Sequence, residues 1–250
     1  MTLKLVVLGL IFFFHGTTWS LEIPTGLQKA DLEKVIRILG LPTSTKLVSD
    51  PYPLGGYDGL ELGLSLEIVR TTDLGHLGNK TSTQREFQFP RLSVGKGLYN
   101  DVDLFFHFIP YSKESQVSEF GGLIRWTFYK GNYLPISWSL MAHGNSLNVA
   151  DRFINETYGV EMLIGLNAED FSIYFGGGQL SSTGKFVRAV LDETDTTFNL
   201  IATDNSRNAS VYQLHTFVGI NFALYESLFI ALQVDRYDEP VYSAKIGFNL

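Results

Sequence analysis

The chain has 250 residues, 45% of them hydrophobic and only 18% charged, with 24 Gly, 12 Tyr and 19 Phe. Aromatic and Gly enrichment with few charges suits strands and tight turns better than helices. A net charge of -7 without a basic stripe argues against a nucleic-acid partner, and the absence of Cys excludes disulfide scaffolds and thiolate metal sites.

At the N-terminus, Lys4 precedes an apolar run over residues 5–14, and Thr18-Trp19-Ser20 offers small residues at the positions a signal peptidase reads. Residues 1–20 are therefore expected to be a signal peptide, since ten apolar residues are too few for a spanning helix, which needs ~20. Leu21 stands where a lipoprotein would need Cys. Residues 27–40 form the one good helical pattern: Leu32, Val35, Ile36 and Leu39 recur at helical spacing, and Gly40 followed by Pro42 stops it. Asp50-Pro51-Tyr52-Pro53-Leu54-Gly55-Gly56 is a rigid linker, so 21–58 is read as a helix-plus-linker segment ahead of a domain over 59–250.

From Gly59 the period becomes two. Leu60, Leu62, Leu64, Leu66 and Ile68 alternate with Glu61, Gly63, Ser65 and Glu67. A run near 87–96 changes phase around Pro90, which predicts a bulge. Alternating runs follow around Val102, Ile124, Ile136 and Tyr158, then over 171–178, 212–222, 228–237 and 241–250, about ten strands in all. Gly176-Gly177-Gly178 is read as ending its strand. Tight connections at 98–101, 130–133 and 167–170 alternate with longer expected loops at 72–85, 111–118, 147–156 and 181–209. Residues 185–203 are expected to be partly ordered or to continue the strands.

Alternation does not say which face is wet. Following the hairpins puts Phe108, Tyr158, Tyr212 and Tyr242 at one end of the apolar face, and Phe128, Phe171, Phe222 and Phe248 at the other. Two aromatic bands on one face suit two lipid interfaces. The chain ends in a strand, Tyr242-Ser243-Ala244-Lys245-Ile246-Gly247-Phe248-Asn249-Leu250, apolar at every second residue. This resembles the closing strand of bacterial outer-membrane β-barrels, although that class usually ends in Phe where Leu250 stands. The resemblance covers 59–250 and implies a transmembrane, antiparallel, up-and-down barrel of all-β class. It also implies outer-membrane lipids and the barrel assembly machinery as partners.

The inward face then carries Glu61, Glu67, Asp103, His107, Arg125, His143, Glu161, His215, Asp235 and Lys245, the lumen-facing binding candidates. Their plainest reading is a packed, hydrogen-bonded interior, because charges removed from water must pair. The 27–39 helix either enters this lumen or sits below it in the periplasm.

His143 and Glu161 lie nearly symmetrically about their connecting loop and are expected to face each other near the outer rim, half of a hydrolytic site. The nucleophile is missing. Ser139 lies four residues from His143, roughly 13 Å at strand rise, and His143 is followed by Gly144 and Asn145, where outer-membrane lipid deacylases place Ser two residues on. His76, His107 and His215 lack metal-ligand spacing, so no metal or other cofactor is expected. Asn79-Lys80-Thr81, Asn155-Glu156-Thr157 and Asn208-Ala209-Ser210 match the glycosylation tripeptide, a pattern common by chance. The expected function is a non-catalytic outer-membrane barrel that passes or binds small solutes. Its alternatives are a structural or surface-binding barrel and a lipid hydrolase using His143 and Glu161.

Overall fold

A computed structural model describes residues 21, 23–24, 26–78, 85–111, 116–131, 133–168, 170–187 and 206–250. The signal-peptide expectation, Asn79-Lys80-Thr81 and most of 185–203 lie outside these residues. Ten strands follow in chain order: β1 (Leu60–Arg70), β2 (Glu86–Gly97), β3 (Val102–Ile109), β4 (Val117–Lys130), β5 (Ile136–Val149), β6 (Phe153–Ala168), β7 (Phe171–Val187), β8 (Ser206–Ala223), β9 (Leu228–Arg236) and β10 (Pro240–Asn249). Each pairs antiparallel with its sequence neighbours, and β10 closes onto β1, from Glu61 opposite Asn249 to Ile68 opposite Tyr242. Closure leaves no open sheet edge within the paired region, a condition for strands that cross lipid. No described helix is long and apolar enough to cross a membrane, a test that says nothing about strands.

The faces sort by polarity. Phe106, Ile124, Trp126, Val160, Phe175, Val218 and Ile246 are exposed outside, while Glu61, Glu67, Asp103, Arg125, Glu161 and Asp235 are buried inside. A soluble barrel would show the reverse. Phe108, Tyr158, Tyr212 and Tyr242 are exposed toward the loop end, with Phe128, Phe171 and Phe222 exposed at the short-turn end.

Three local expectations are corrected. No bulge occurs at Pro90: β2 pairs with β1 without a register shift, and Phe87, Phe89, Arg91 and Gly95 all face inward. The apparent change of phase has a chemical cause. Phe87 and Phe89 are buried in an apolar part of the lumen, whereas Leu92 and Val94 point outward. Among the described residues the register shifts instead between Thr127 and Tyr129, on β4 against β5. Gly176-Gly177-Gly178 does not end a strand but lies within β7. A Cβ on Gly178 would sit 2.0 Å from the Val160 carbonyl oxygen, so β7 approaches β6 this closely only because the side chain is absent.

The loop expected at 147–156 is largely strand, and so are the described ends of the loop expected at 181–209, over 181–187 and 206–209. β5 and β6 run to a turn at 150–152, where Ala150 and Asp151 take left-handed backbone (φ 54° and 55°), and β7 continues to Val187. Alternation fades in these stretches because Ser146, Glu156, Thr183 and Ser210 face outward above the Tyr158–Tyr212 level. Beyond the lipid an outward side chain has no reason to be apolar. From Tyr158 to Phe153 and from Ser181 to Val187, this wall rises ~15–20 Å farther along the strands.

The N-terminal segment lies inside the barrel. Helix α1 (Lys29–Val35) passes into a π-helical turn (Ile36–Gly40), closed by Leu41 N–H donating to the Ile36 carbonyl at 2.9 Å. Its apolar face, Leu32, Val35, Ile36 and Leu39, is 0–2% exposed, packed in one cluster with the inward-facing Phe89, Val149, Phe153, Leu180, Phe186 and Val211. Gly184 permits the approach, since a Cβ there would lie 2.9 Å from Ile36 Cγ1. Lys29, Ala30, Glu33 and Lys34 remain exposed. The helix thus caps the loop end of the lumen, and residues 41–58 run down the interior to the short-turn end, where they enter β1.

Candidate functional site: the plugged lumen

A ten-stranded barrel is wider than side chains alone can fill, the limit being about eight strands. Here the extra width holds one extended chain. Thr43, Ser44, Thr45 and Ser49 are 0–1% exposed, as buried as a protein core. Pro42, Pro51 and Pro53 keep the segment from coiling, so its peptide groups find few partners within the segment. Wall side chains supply them.

Near the short-turn end, Arg125 on β4 is fully buried. It holds Asp103 of β3 with Nε and Nη2 at 3.0 and 2.8 Å, and donates to the carbonyls of Asp50 and Tyr52, the latter at 2.6 Å. Asp103 also accepts the Leu54 N–H at 3.1 Å, and Ser137 donates to the Pro51 carbonyl at 3.4 Å. Beside this group, Glu61 takes Lys245 Nζ at 2.6 Å and the Ser49 hydroxyl.

Farther up, Arg91 joins Glu67 to Glu119, reaching Glu119 at 2.6 and 2.8 Å, and donates to the carbonyls of Thr43 (2.5 Å) and Ser44 (3.4 Å). Lys46 of the segment binds Glu67 at 2.5 Å. Asn145 donates to Thr43 O at 2.9 Å and to Glu119 at 3.0 Å, while His107 sits 3.3 Å from Glu119. Two carboxylates and two cations thus balance within one layer. A void of about 20 Å³ beside Lys46, Glu67, Arg91 and His107 is room for one water, so this layer of the lumen is packed.

A third group lies toward β8 and β9. His215 Nδ1 bonds Glu161, and its Nε2 lies 3.1 Å from Asp235 Oδ1, which also accepts from Gln233 at 2.8 Å. Tyr174 donates to Gln233 at 2.9 Å. The Tyr237 ring stacks on His215 at 4.5 Å, and its hydroxyl is 2.8 Å from that of Ser44. His143 Nε2 is 3.4 Å from Glu161 but is not aligned for a hydrogen bond; both its ring nitrogens and Asp235 Oδ2 lack a protein partner among the described residues. Two carboxylates here share imidazoles, with no Lys or Arg in the group.

All ten inward residues named from the sequence are buried, in three groups around one segment. The expected rim position of His143 and Glu161 is corrected. They lie well below the Val149 end of β5, beneath the helix-capped mouth, and the stronger partner of Glu161 is His215. Ser139 bonds Thr127 at 2.8 Å instead of turning to His143. No group of three or more metal-ligating side chains occurs among the described residues.

Sequence reasoning missed Arg91, Glu119, Asn145 and Lys46. The supposed bulge at Pro90 hid Arg91, although strict alternation carried through Pro90 puts it inward with Glu67. Glu119 stood beside a stretch read as loop. Lys46 lay in a segment without periodicity, and nothing local to it signals burial.

No family model and no curated protein sequence matches this chain. Solved structures that align with it include the N-terminal beta-barrel domain of Pseudomonas aeruginosa OprF, at 10% identity and TM-score 0.38 over 78% of this chain and 99% of that one. The attachment invasion locus protein Ail of Yersinia pestis aligns at 13% identity and TM-score 0.31, over 77% and 97%. The Salmonella typhi outer membrane phospholipase dimer with bound calcium aligns at 9% identity and TM-score 0.34, over 81% and 93%. The architecture of this chain rests on its own strand pairing.

Proposed function

We propose that this protein is an outer-membrane barrel that passes or binds small solutes without catalysis and that rests closed, plugged by its own N-terminal segment. Under this reading residues 1–20 direct export, the short-turn end faces the periplasm, and β10 is the strand that the barrel assembly machinery reads. The observation that carries it is the character of the plug. Residues 41–58 occupy the lumen, joined covalently to the barrel only at Gly59, and elsewhere held by hydrogen bonds and ion pairs that a shift of the segment would release together. A lumen built only to be solid would need neither a threaded chain nor charges matched to its carbonyls.

A structural or surface-binding barrel is the second reading, favoured by the raised wall of β6, β7 and β8, whose outward face is polar above the aromatic level. The hydrolase reading draws less support, because His143 and Glu161 are buried and the inward-facing hydroxyl of Ser139, on the strand of His143, is already bonded to Thr127.

The chain has no Cys, so a single engineered pair can lock the plug. A Cβ at Gly40 would lie 2.8 Å from Asn155 Cγ, close to disulfide geometry for Gly40→Cys with Asn155→Cys. Solute flux into liposomes should be low for the wild type, abolished in the oxidised double variant and restored by reduction. Absence of flux in all three states would favour the structural reading.

A further inference from the structure

We infer that the lumen is a recognition channel for extended polypeptide, of which residues 41–54 are the resident occupant; this rests on the proposal that the plug can leave. The contacts say what the wall reads. Arg91, Arg125, Asn145 and Ser137 all donate to main-chain carbonyls of the segment, at Thr43, Ser44, Asp50, Pro51 and Tyr52. Asp103 accepts a main-chain N–H at Leu54. These are groups every peptide presents, spaced for a chain without internal structure. A wall evolved around a sugar would meet hydroxyls, and one for an apolar solute would not carry two buried guanidinium groups aimed at carbonyls.

Side-chain reading is narrower. Among the described residues Lys46 on Glu67 is the one ion pair between the extended segment and the wall, with Ser49 on Glu61, Asn221 on Asp50 and Thr45 beside His107 as further polar contacts. Leu47 is buried in one apolar cluster with Phe105, Leu123, Met141 and Leu163, and Val48 in another with Phe229 and Ala231, so the channel fits an extended peptide with one cation at the Glu67 level followed by two apolar side chains. The guanidinium of Arg91 is itself neutralised by Glu67 and Glu119, and that of Arg125 by Asp103. Neither repels a Lys-bearing chain, and both keep spare N–H groups for carbonyls.

The test nicks the folded full-length protein. Gly55 and Gly56 take left-handed backbone (φ 94° and 80°) at the short-turn end, and Gly55 is exposed, so a protease sequence inserted between them can be cut after folding. The same insertion between the exposed Tyr57 and Asp58 serves if the first does not fold. The nicked barrel in detergent is offered a dye-labelled peptide of residues 41–54, a permuted peptide that keeps only residues 46–48 in place, and maltohexaose.

Saturable binding of both peptides, within about tenfold of each other in Kd and absent from the uncut protein, is the expected result, since only a few neutral contacts differ. In Asn145→Ala, which removes one donor, both peptides should weaken alike by ~3–10-fold. Failure of the permuted peptide, or equal binding of maltohexaose, would overturn peptide recognition while leaving solute passage intact. Peptide binding without any accompanying channel opening would uphold the inference and remove the passage reading. A resident fragment that stays put against a thousandfold excess of peptide would overturn both.

Discussion

Arg125 offers the sharpest test of whether the lumen is dry and load is shared between wall and plug. Its guanidinium is fully buried, paired with Asp103 through two nitrogens and bonded to two plug carbonyls. Arg125→Met keeps much of the volume but strands the Asp103 carboxylate and two acceptors. Breaking a buried pair costs about 3–5 kcal/mol, and each orphaned carbonyl adds ~1 kcal/mol or more, so a loss of about 5 kcal/mol is expected. Asp103→Asn is milder, ~1–3 kcal/mol, because Arg125 retains its carbonyls and Asn can still accept from Leu54. The double variant Arg125→Met with Asp103→Leu removes both charges and should recover at least ~2 kcal/mol relative to Arg125→Met alone. The measurement is reversible urea unfolding in lipid vesicles, followed by Trp fluorescence. A cost below ~1 kcal/mol for Arg125→Met, with no recovery in the double variant, would mean that water already solvates these groups and that the plug does not seal the channel.

Leu64 faces outward in β1, opposite Ile246 and Leu92, and Leu64→Arg should cost ~2–4 kcal/mol in the same assay. Ser65→Arg, aimed into the packed lumen beside Lys245, should be at least as damaging, and a neutral result there would argue for an open interior. Gly178→Val brings a side chain against the Val160 carbonyl and should destabilise by ~1–3 kcal/mol or prevent the heat-resistant gel form. Ile36→Ala removes a fully buried side chain from the capping helix and should cost ~2–5 kcal/mol. If the helix unfolds separately from the barrel, the loss will appear as faster proteolysis near Gly26 and not as a lower unfolding midpoint. Removal of 242–250 takes away the strand that closes on β1 and should abolish membrane insertion, read by fractionation.

Legibility followed the physics of lipid contact. Where the outside of a strand touches hydrocarbon, every second residue must be apolar, so Leu60 to Ile68 and Tyr242 to Phe248 declare themselves. Above the Tyr158–Tyr212 level that requirement lapses, and Ser146, Glu156 and Thr183 made strand look like loop. The inward face was legible as a set of charges but not as a set of partners. Pairing depends on which strands are neighbours and on depth, so His143 and Glu161 were within reach in sequence terms, while the closer partner of Glu161, His215, comes from two strands farther round the barrel.

The plug was least legible, and the reason is specific. An extended segment held largely through its main chain carries no periodicity, because only a few of its side chains, Lys46 on Glu67 and Leu47 and Val48 in apolar clusters of the wall, are selected by their contacts. Pro42 read as a helix stop and Pro51 and Pro53 as linker, which is true of their conformation and silent about their surroundings. The trace of its burial lies instead in the wall. Phe87 and Phe89 belong, with Phe153, Leu180, Phe186 and Val211, to an apolar inward ring at the loop end, so some apolar body must occupy the lumen at that depth. Helix α1 has one apolar face and no lipid-spanning length, so it is the body that fits. Arg91 and Arg125 make the same demand lower down: buried guanidinium groups whose carboxylate partners leave N–H donors over require acceptors in the interior. Carbonyls of an extended chain meet that need where side chains of a ten-stranded wall do not reach. The wall's inward apolar ring and its surplus donors, taken together, specify a plug that is helical and greasy at the loop end and extended below.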